Sequence, residues 1–498
     1  MYINDKILIG KNNEYDAYLL PKMANRHGII SGASGSGKTV TVKVLAEGFS
    51  SASVPVFLVD VKGDLAGMAK VGTSNENIDK RVKELNIENF DFRNFNTIYW
   101  DVYGKKGHPI RTTVSKLGYS LLSKMLGLSD VQEGVLAIIF KIAEDENLEL
   151  VDLSDLRSMI TYVGEKRSEY SLNYGNITAQ SLGGIGRCLL ELESQHGEHF
   201  FGKPDFDIND FIKYDEISGN GVINILDATT LFSEPTLYAT FMLWLLNSFY
   251  HTLPEVGDLE KPKIVFFFDE AHLMFSEMPN HMIKQIVQIV KLIRSKGVGL
   301  YFISQSPSDI PDEILSQLGN KIQHTLRFYT KSDEKAIKCA ADSFRINPKF
   351  NTSNVIKELK TGEALVSLQN EDGQPSIVER VTILPPQSCM GTITDLERDG
   401  FIRVSPYYGK YENKIDVNSA FEKISQQREK SATGFVAPTL NRDGFIKKDV
   451  KDEPKIIPKK ERKKKKSVAE KAASKLANQT INTIGRKLGN SIFNKLFK

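Results

Sequence analysis

Residues 32–39 read GASGSGKT, which has the spacing GxxxxGK[ST]. Glycines at such spacing let the backbone curl with its N–H groups inward, where a Cβ would obstruct them. A helix starting at the end of the loop would aim its N-terminus at bound phosphate. Lys38 can reach the β- and γ-phosphates of a nucleoside triphosphate, and the Thr39 hydroxyl can ligate Mg²⁺. The set expected to touch nucleotide is Gly32, Ser34, Gly35, Ser36, Gly37, Lys38, Thr39 and Val40. A second pattern, an apolar run from Ile264 to Phe268 followed by Asp269-Glu270, suits the acid pair that serves such a loop. Asp269 would hold the Mg²⁺ water shell, and Glu270 would polarise the attacking water. Tyr301-Phe302-Ile303-Ser304-Gln305 reads as a strand that delivers an amide, Gln305, to the γ-phosphate or the lytic water. At Asp60-Val61-Lys62-Gly63-Asp64 the two acids either stand beside the nucleotide or simply shape a turn with Gly63 at positive φ. The cofactors implied are ATP and Mg²⁺.

These residues need strands to carry them. Short strands are expected at Gly28–Ser31, Val54–Val61, Asn96–Asp101, Gly221–Leu226, Lys263–Asp269 and Val298–Ser304. Several are continuously apolar, as in a parallel sheet covered on both faces. Helical spacing lies between them, at Lys38–Phe49, Thr236–Tyr250 and Met282–Ser295, and dominates from Thr112 to about Glu193. Glu363–Leu368 and Ser376–Ile383 flank Asp372-Gly373 and read as a hairpin. The fold class expected is α/β, with a mostly parallel sheet, an α-helical insertion and a basic C-terminal tail. In sequence, 1–111 is the first part of the core and 112–215 the insertion. The second part of the core is 216–388, with an extension over 389–430, a linker over 431–466 and a tail helix over 467–498.

At 41% hydrophobic and 26% charged, the 498 residues exclude a wholly disordered or collagen-like chain. No run of about 18 apolar residues is long enough for a membrane-spanning helix, and Met1–Gly10 carries no secretory signal pattern. Cys188, Cys339 and Cys389 are far apart with no CxxC, which suits reduced thiols in a cytoplasmic protein. The net charge of +3 conceals a division. Residues 446–498 hold 17 Lys/Arg against 5 Asp/Glu, a net of +12, so the remainder is −9. Apolar residues at helical spacing follow the Lys463–Lys466 block, and this tail is expected to tether an anionic surface or DNA. His196 and His199 could share one side, but Gly197 disfavours a helix there and no third metal ligand stands out. His272 reads as a packed histidine rather than a base.

Taken together, GASGSGKT (32–39), FLVDVKGDL (57–65), YWDVYGKKGHPIRTTVS (99–115), NILDATTLFSEPTLYATFMLWLL (224–246), FFFDEAHLMF (266–275), GLYFISQSPSDIP (299–311) and GEALVSL (362–368) resemble the HerA/FtsK superfamily of ring-forming ATPases, and within it the bacterial HerA-like proteins. The likeness covers about residues 1–430. It implies a RecA-like P-loop NTPase core, ATP hydrolysis, a homo-oligomer in the form of a hexamer, and double-stranded DNA as the translocated partner. Relatives in conjugative secretion imply an alternative, a motor on a protein partner, and a third reading is an ATP-dependent switch or scaffold. HerA proper carries a β-barrel ahead of its phosphate loop, and the 31 residues before Gly32 are too few for one. Ring ATPases of this kind use a neighbour's arginine at the γ-phosphate. Arg327 is the first candidate, with Arg111 and Arg187 as alternatives.

Overall fold

Val56 and Leu58 pack into one apolar core and Phe57 and Val59 into another, all four without solvent exposure. The same alternation runs through Ile264, Phe266 and Phe268 on one face and Val265 and Phe267 on the other. Strands with both faces covered make the middle of a sandwich of helices around a parallel sheet.

The computed structural model describes residues 1–276 and 278–433. Among them, twelve strands form one sheet: β1 (Tyr2–Ile3), β2 (Lys6–Lys11), β3 (Asp16–Leu19), β4 (Gly28–Ser31), β5 (Val56–Asp60), β6 (Thr97–Trp100), β7 (Ile223–Asp227), β8 (Ile264–Phe268), β9 (Val298–Ser304), β10 (Asn320–Gln323), β11 (Glu363–Ser367) and β12 (Glu379–Ile383). Their order is β1-β2-β12-β11-β10-β4-β9-β8-β5-β7-β6, with β3 paired to β2. From β10 to β6 every pairing is parallel; from β10 back to β1 every pairing is antiparallel. The expected hairpin is β11–β12, with Glu363 opposite Thr382. The N-terminal strands and β10 are additions to the strands expected from the sequence.

Helix α1 (Lys38–Ser51) covers one face of the sheet, and α2 (Glu76–Glu84) lies nearer the surface. The other face meets the helical segment anticipated from residue 112. It holds α3 (Val114–Leu117), α4 (Tyr119–Met125), α5 (Asp130–Asp145), α6 (Leu153–Glu165), α7 (Arg167–Tyr174) and α8 (Ala179–Ser194). Its apolar residues share one continuous core with the sheet and with α9 (Pro235–Thr252), α10 (Ala271–Ser276) and α11 (Asn280–Ile293). Leu136, Ile139, Leu156 and Ile185 belong to the same cluster as Phe57, Phe241 and Phe266. The insertion is therefore a layer of the core rather than a body apart.

Short α12 (Asp312–Leu315) follows β9, and α13 (Lys331–Asp342) with α14 (Thr352–Glu358) builds a small cluster beside the antiparallel wing. The chain then returns through α15 (Asp395–Val404) and α16 (Ala420–Thr433). Asp155 on α6 accepts hydrogen bonds from Ser419 Oγ (2.6 Å) and Phe421 N (2.8 Å), which fastens α16 to the helical layer. Residues Met1–Gly434 make up one compact unit. Most of the expected linker (431–466) and the whole tail helix (467–498) lie outside the described residues. No helix among the described residues is long and apolar enough to cross a membrane.

Candidate nucleotide-binding site

Because β4, β9, β8 and β5 run parallel and adjacent, their carboxyl ends open on one edge of the sheet. Ser31 pairs with Ser304, and Phe268 pairs with both Phe302 and Val59. The residues that follow these strands are Gly32, Gln305, Asp269 and, at the end of β5 itself, Asp60. Sheet topology alone thus gathers the four segments singled out in the sequence.

The phosphate loop is held from below. A Cβ on Gly32 would come within 2.5 Å of His324 Cβ, so the loop can pass only as glycine. Gly37 has φ +111, a region that favours glycine, and is the residue from which α1 starts. His324, buried after β10, lies 2.9 Å from Thr41 Oγ1 through Nε2 and 2.9 Å from the Glu363 carbonyl through Nδ1. Burial lowers its pKa to about 4, so the ring is a neutral strut. Nothing in the spacing around His324 marked it as a support for the loop.

Lys38 turns back on its own loop, donating to the carbonyls of Gly32 (2.6 Å) and Ala33 (3.2 Å). Burial lowers its pKa, opposed by the charge of Glu270. The Thr39 hydroxyl donates to Asp64 Oδ2 at 3.1 Å. Asp60 accepts from Gly63 N (2.7 Å) and Leu65 N (3.1 Å), and Gly63 has φ +78. The two expectations for this segment both hold a share: Asp60 builds the turn and Asp64 faces the phosphate loop. Burial, with help from the Asp64 charge, raises the Asp60 pKa to about 6.

Burial also raises Asp269, to about 7, with the neighbouring Glu270 charge adding to it. Glu270 sits at φ +47, a left-handed conformation that a non-glycine residue adopts only under constraint. Its side chain is 4% exposed and in contact with Lys62 Nζ, while His272 Nδ1 lies 3.2 Å from its second oxygen. Burial pushes the Glu270 carboxyl up, but the hydrogen bond and charge of Lys62 outweigh it and the net shift is downward. Lys62 was passed over in the sequence, although it stands between the two acids of its motif.

Mg²⁺ suits this donor set. Thr39 Oγ1, the Asp269 carboxyl and Asp64 supply hard oxygens, and Asp64 Oδ1 is buried without a hydrogen-bond partner among the described residues. Beside the loop lies a cleft of about 480 Å³, bordered by Ser34, His272, Gln305, Asp309 and Arg327. Asp309 shapes its wall by accepting from Ser304 Oγ (2.7 Å) and Ser306 N (2.9 Å), which leaves Gln305 exposed between them. Arg327 is exposed and donates to Ser34 O of its own loop at 3.4 Å. Of the alternatives, Arg111 is committed to the carbonyls of Tyr411 (2.7 Å) and Glu412 (3.4 Å), and Arg187 is exposed on α8.

The family model described as "Helicase HerA-like C-terminal" matches residues 5–498. The chain belongs to that family. Two curated relatives are DNA double-strand break repair helicases HerA. The protein of Sulfolobus acidocaldarius is 23% identical over 380 residues, covering 75% of this chain and 68% of that protein. The protein of Sulfurisphaera tokodaii is 24% identical over 388 residues, with the same coverage. Among solved structures, the bacterial conjugative coupling protein TrwB aligns with a TM-score of 0.49 at 12% identity, covering 76% of this chain and 90% of TrwB. VirB4 of Thermoanaerobacter pseudethanolicus aligns at 0.48 and 14% identity, covering 77% and 97%. Membership in the HerA-like family places this chain in a P-loop ATPase motor family, and its phosphate loop and acid pair agree with the ATPase part of that assignment.

The histidine pair away from this edge differs from expectation. A single 3₁₀ turn spans Gly197–His199, and Glu198 supplies the third group that the sequence left unnamed. All three side chains are exposed, and Glu198 Oε1 is 3.4 Å from His196 Nδ1.

Proposed function

We propose that this chain is the ATP-hydrolysing engine of a HerA-like ring motor that moves on double-stranded DNA. The observation that carries the reading is the convergence of Lys38, Thr39, Asp269 and Glu270 on one sheet edge in a chain of the HerA-like family. Bound phosphates would draw Lys38 off the Gly32 and Ala33 carbonyls and receive the loop N–H groups. Thr39 and Asp269, with Asp64 beside them, would hold Mg²⁺, which supplies charge to the β–γ bridge. Glu270 orients and polarises the attacking water, Gln305 contacts the γ-phosphate or that water, and Arg327, exposed beside the cleft, adds charge at the γ-phosphate of a neighbouring subunit.

The working assembly is a homo-hexamer acting in the cytoplasm. The test is the hydrolysis rate of the full chain with double-stranded DNA, with RNA and with no polymer, at low and moderate salt, alongside mass photometry with ATP. Stimulation by double-stranded DNA and a hexameric mass support the motor. A rate indifferent to every nucleic acid transfers the reading to a protein substrate or an ATP-dependent switch.

A further inference from the structure

The turn after β5 reaches the site from both sides. Asp64 contacts Thr39 on the phosphate loop, while Lys62, two residues earlier, contacts Glu270 after β8. Asp60 pins the backbone of the turn by accepting from two of its N–H groups, while the Lys62 side chain extends from it. The charges of Glu270 and Lys62 both act on Lys38, as expected of groups that border one space.

In this arrangement the Lys62 ammonium holds one oxygen of Glu270 and weakens the carboxylate as a base. One carboxylate oxygen is in contact with the Lys62 ammonium, and the other faces His272 Nδ1 at 3.2 Å. The carboxylate is nearly buried, whereas the Lys62 side chain is 49% exposed. Lys62 is therefore the mobile partner: a flexible stem in solvent carries a point charge that can be transferred to a stronger anion. A triphosphate bound in the loop is such an anion.

We propose that Lys62 is a γ-phosphate switch: it neutralises Glu270 until ATP binds, then leaves Glu270 for the γ-phosphate and so frees the base. This inference rests on the ATPase reading above. In the armed site the water oxygen bonds to the γ-phosphorus as the bond from that phosphorus to the β–γ bridging oxygen breaks. The electron pair stays on the β-phosphate of ADP. The water proton passes to Glu270 and from it to the released phosphate. Lys62 meets the charge on the γ-oxygens during the transfer, and its departure from Glu270 couples base activity to the presence of a third phosphate. With ADP the lysine returns to Glu270.

The test compares wild type, Lys62→Ala, Lys62→Gln and Lys62→Arg in the full chain. Three quantities are measured: kcat for ATP, and the affinities for ADP and for a non-hydrolysable ATP analogue. The expected result for Lys62→Ala and Lys62→Gln is a fall in kcat of about 10²-fold, the size of losing one oriented charge-stabilising group. Analogue affinity should fall about tenfold while ADP affinity stays within twofold. Lys62→Arg should recover part of both. A purely structural role in the turn would weaken ADP and analogue together, and that outcome overturns the switch. So does a kcat within twofold of wild type, or one above it, which would make Lys62 a brake with no part in the transfer. A wild-type chain that hydrolyses no ATP, with Lys38→Ala binding nucleotide as well as wild type, would remove the ATPase reading itself. Wild-type hydrolysis with an indifferent Lys62→Ala would remove Lys62 alone.

Discussion

In the helical layer the starts of α5, α6 and α8 are closed by side chains of the chain itself. Ser129 and Gln132 cap each other's backbone at the head of α5, Asp152 and Asp155 do the same for α6, and Thr178 accepts from Ser181 N at α8. The carboxyl edge of the parallel strands is the reverse. Glu270 is held at φ +47, Asp64 Oδ1 and Glu270 Oε2 are buried without hydrogen-bond partners among the described residues, and Asp269 is raised to about 7. Lys38 donates to carbonyls of its own loop. The helix starts named here are closed with what the sequence contains, whereas the edge offers groups that phosphates and a cation would satisfy, so ligand binding is expected to raise stability.

The sharpest way to break this contrast is Lys38→Ala. Hydrolysis should fall by about 10³-fold or more, the scale of losing a cation on a transferring phosphoryl group. Melting of the nucleotide-free chain should change little, while the rise in melting temperature on adding Mg·ATP should vanish. A variant that retains that rise would show that Lys38 does not meet phosphate. Next in size is Glu270→Gln, expected to slow hydrolysis by about 10²- to 10⁴-fold, the range for a general base. ATP binding should persist because Asp269 and Thr39 are intact. Loss of ATP binding in a folded Glu270→Gln chain would contradict the division of roles between the two acids.

The opposite behaviour is expected of Asp155. Its two oxygens accept from Val151 N, Asp152 N, Ser419 Oγ and Phe421 N, at 2.6–3.1 Å, and it is buried. Asp155→Ala leaves these donors unpaired and should cost roughly 3–4 kcal/mol of stability. Hydrolysis per folded molecule should match wild type. A fall in kcat without a fall in the urea midpoint would erase the distinction between the two regions.

Much of this contrast was legible in the residues. The glycine spacing, Lys38, Thr39 and the Asp269-Glu270 pair are local patterns that chemistry dictates, and sheet order brings them together because all follow parallel strands. What was not legible depends on contacts distant in sequence. His324 supports the loop from beneath at a separation of about 290 residues, and no spacing rule connects it to Gly32. Lys62 carries no signal of its own in the sequence because its partner, Glu270, is 208 residues away. The place of β2 comes from its pairing with β12, and β1 and β3 are short strands that pair with β2, contacts distant in sequence for β2 that periodicity does not reveal.

A pH experiment probes the edge more finely. The folded pKa of Asp60, raised to about 6, lies above its ordinary value of 3.8, so the folded state holds the extra proton between them. The stability this contributes is full below about pH 4 and lost as pH rises through 6. Measured without nucleotide and in EDTA, wild type should therefore lose about 2–3 kcal/mol relative to Asp60→Asn between pH 4 and pH 7. A difference between the two that does not vary with pH would mean that Asp60 is ionised at no cost.

The smallest effect tests the layer where its closure is most local. Ser129 is exposed; its hydroxyl accepts from Gln132 N at 3.5 Å, and Gln132 Oε1 accepts from Ser129 N at 2.9 Å. The α5 helix that this pair starts buries Val135, Leu136, Ile139 and Ile142 in the core shared with the sheet. Ser129→Ala removes one half of the reciprocal cap and should cost about 1 kcal/mol. Ser129→Asp, which keeps an acceptor and adds a negative charge at the helix start, should recover most of it. Neither change should alter kcat, because α5 packs chiefly on α4, α6 and α8 and none of its residues borders the cleft beside the phosphate loop. An altered kcat in Ser129→Ala at unchanged stability would mean that the helical layer transmits its state to the nucleotide edge, and closure of its caps would then belong to the motor's working cycle rather than to its scaffold.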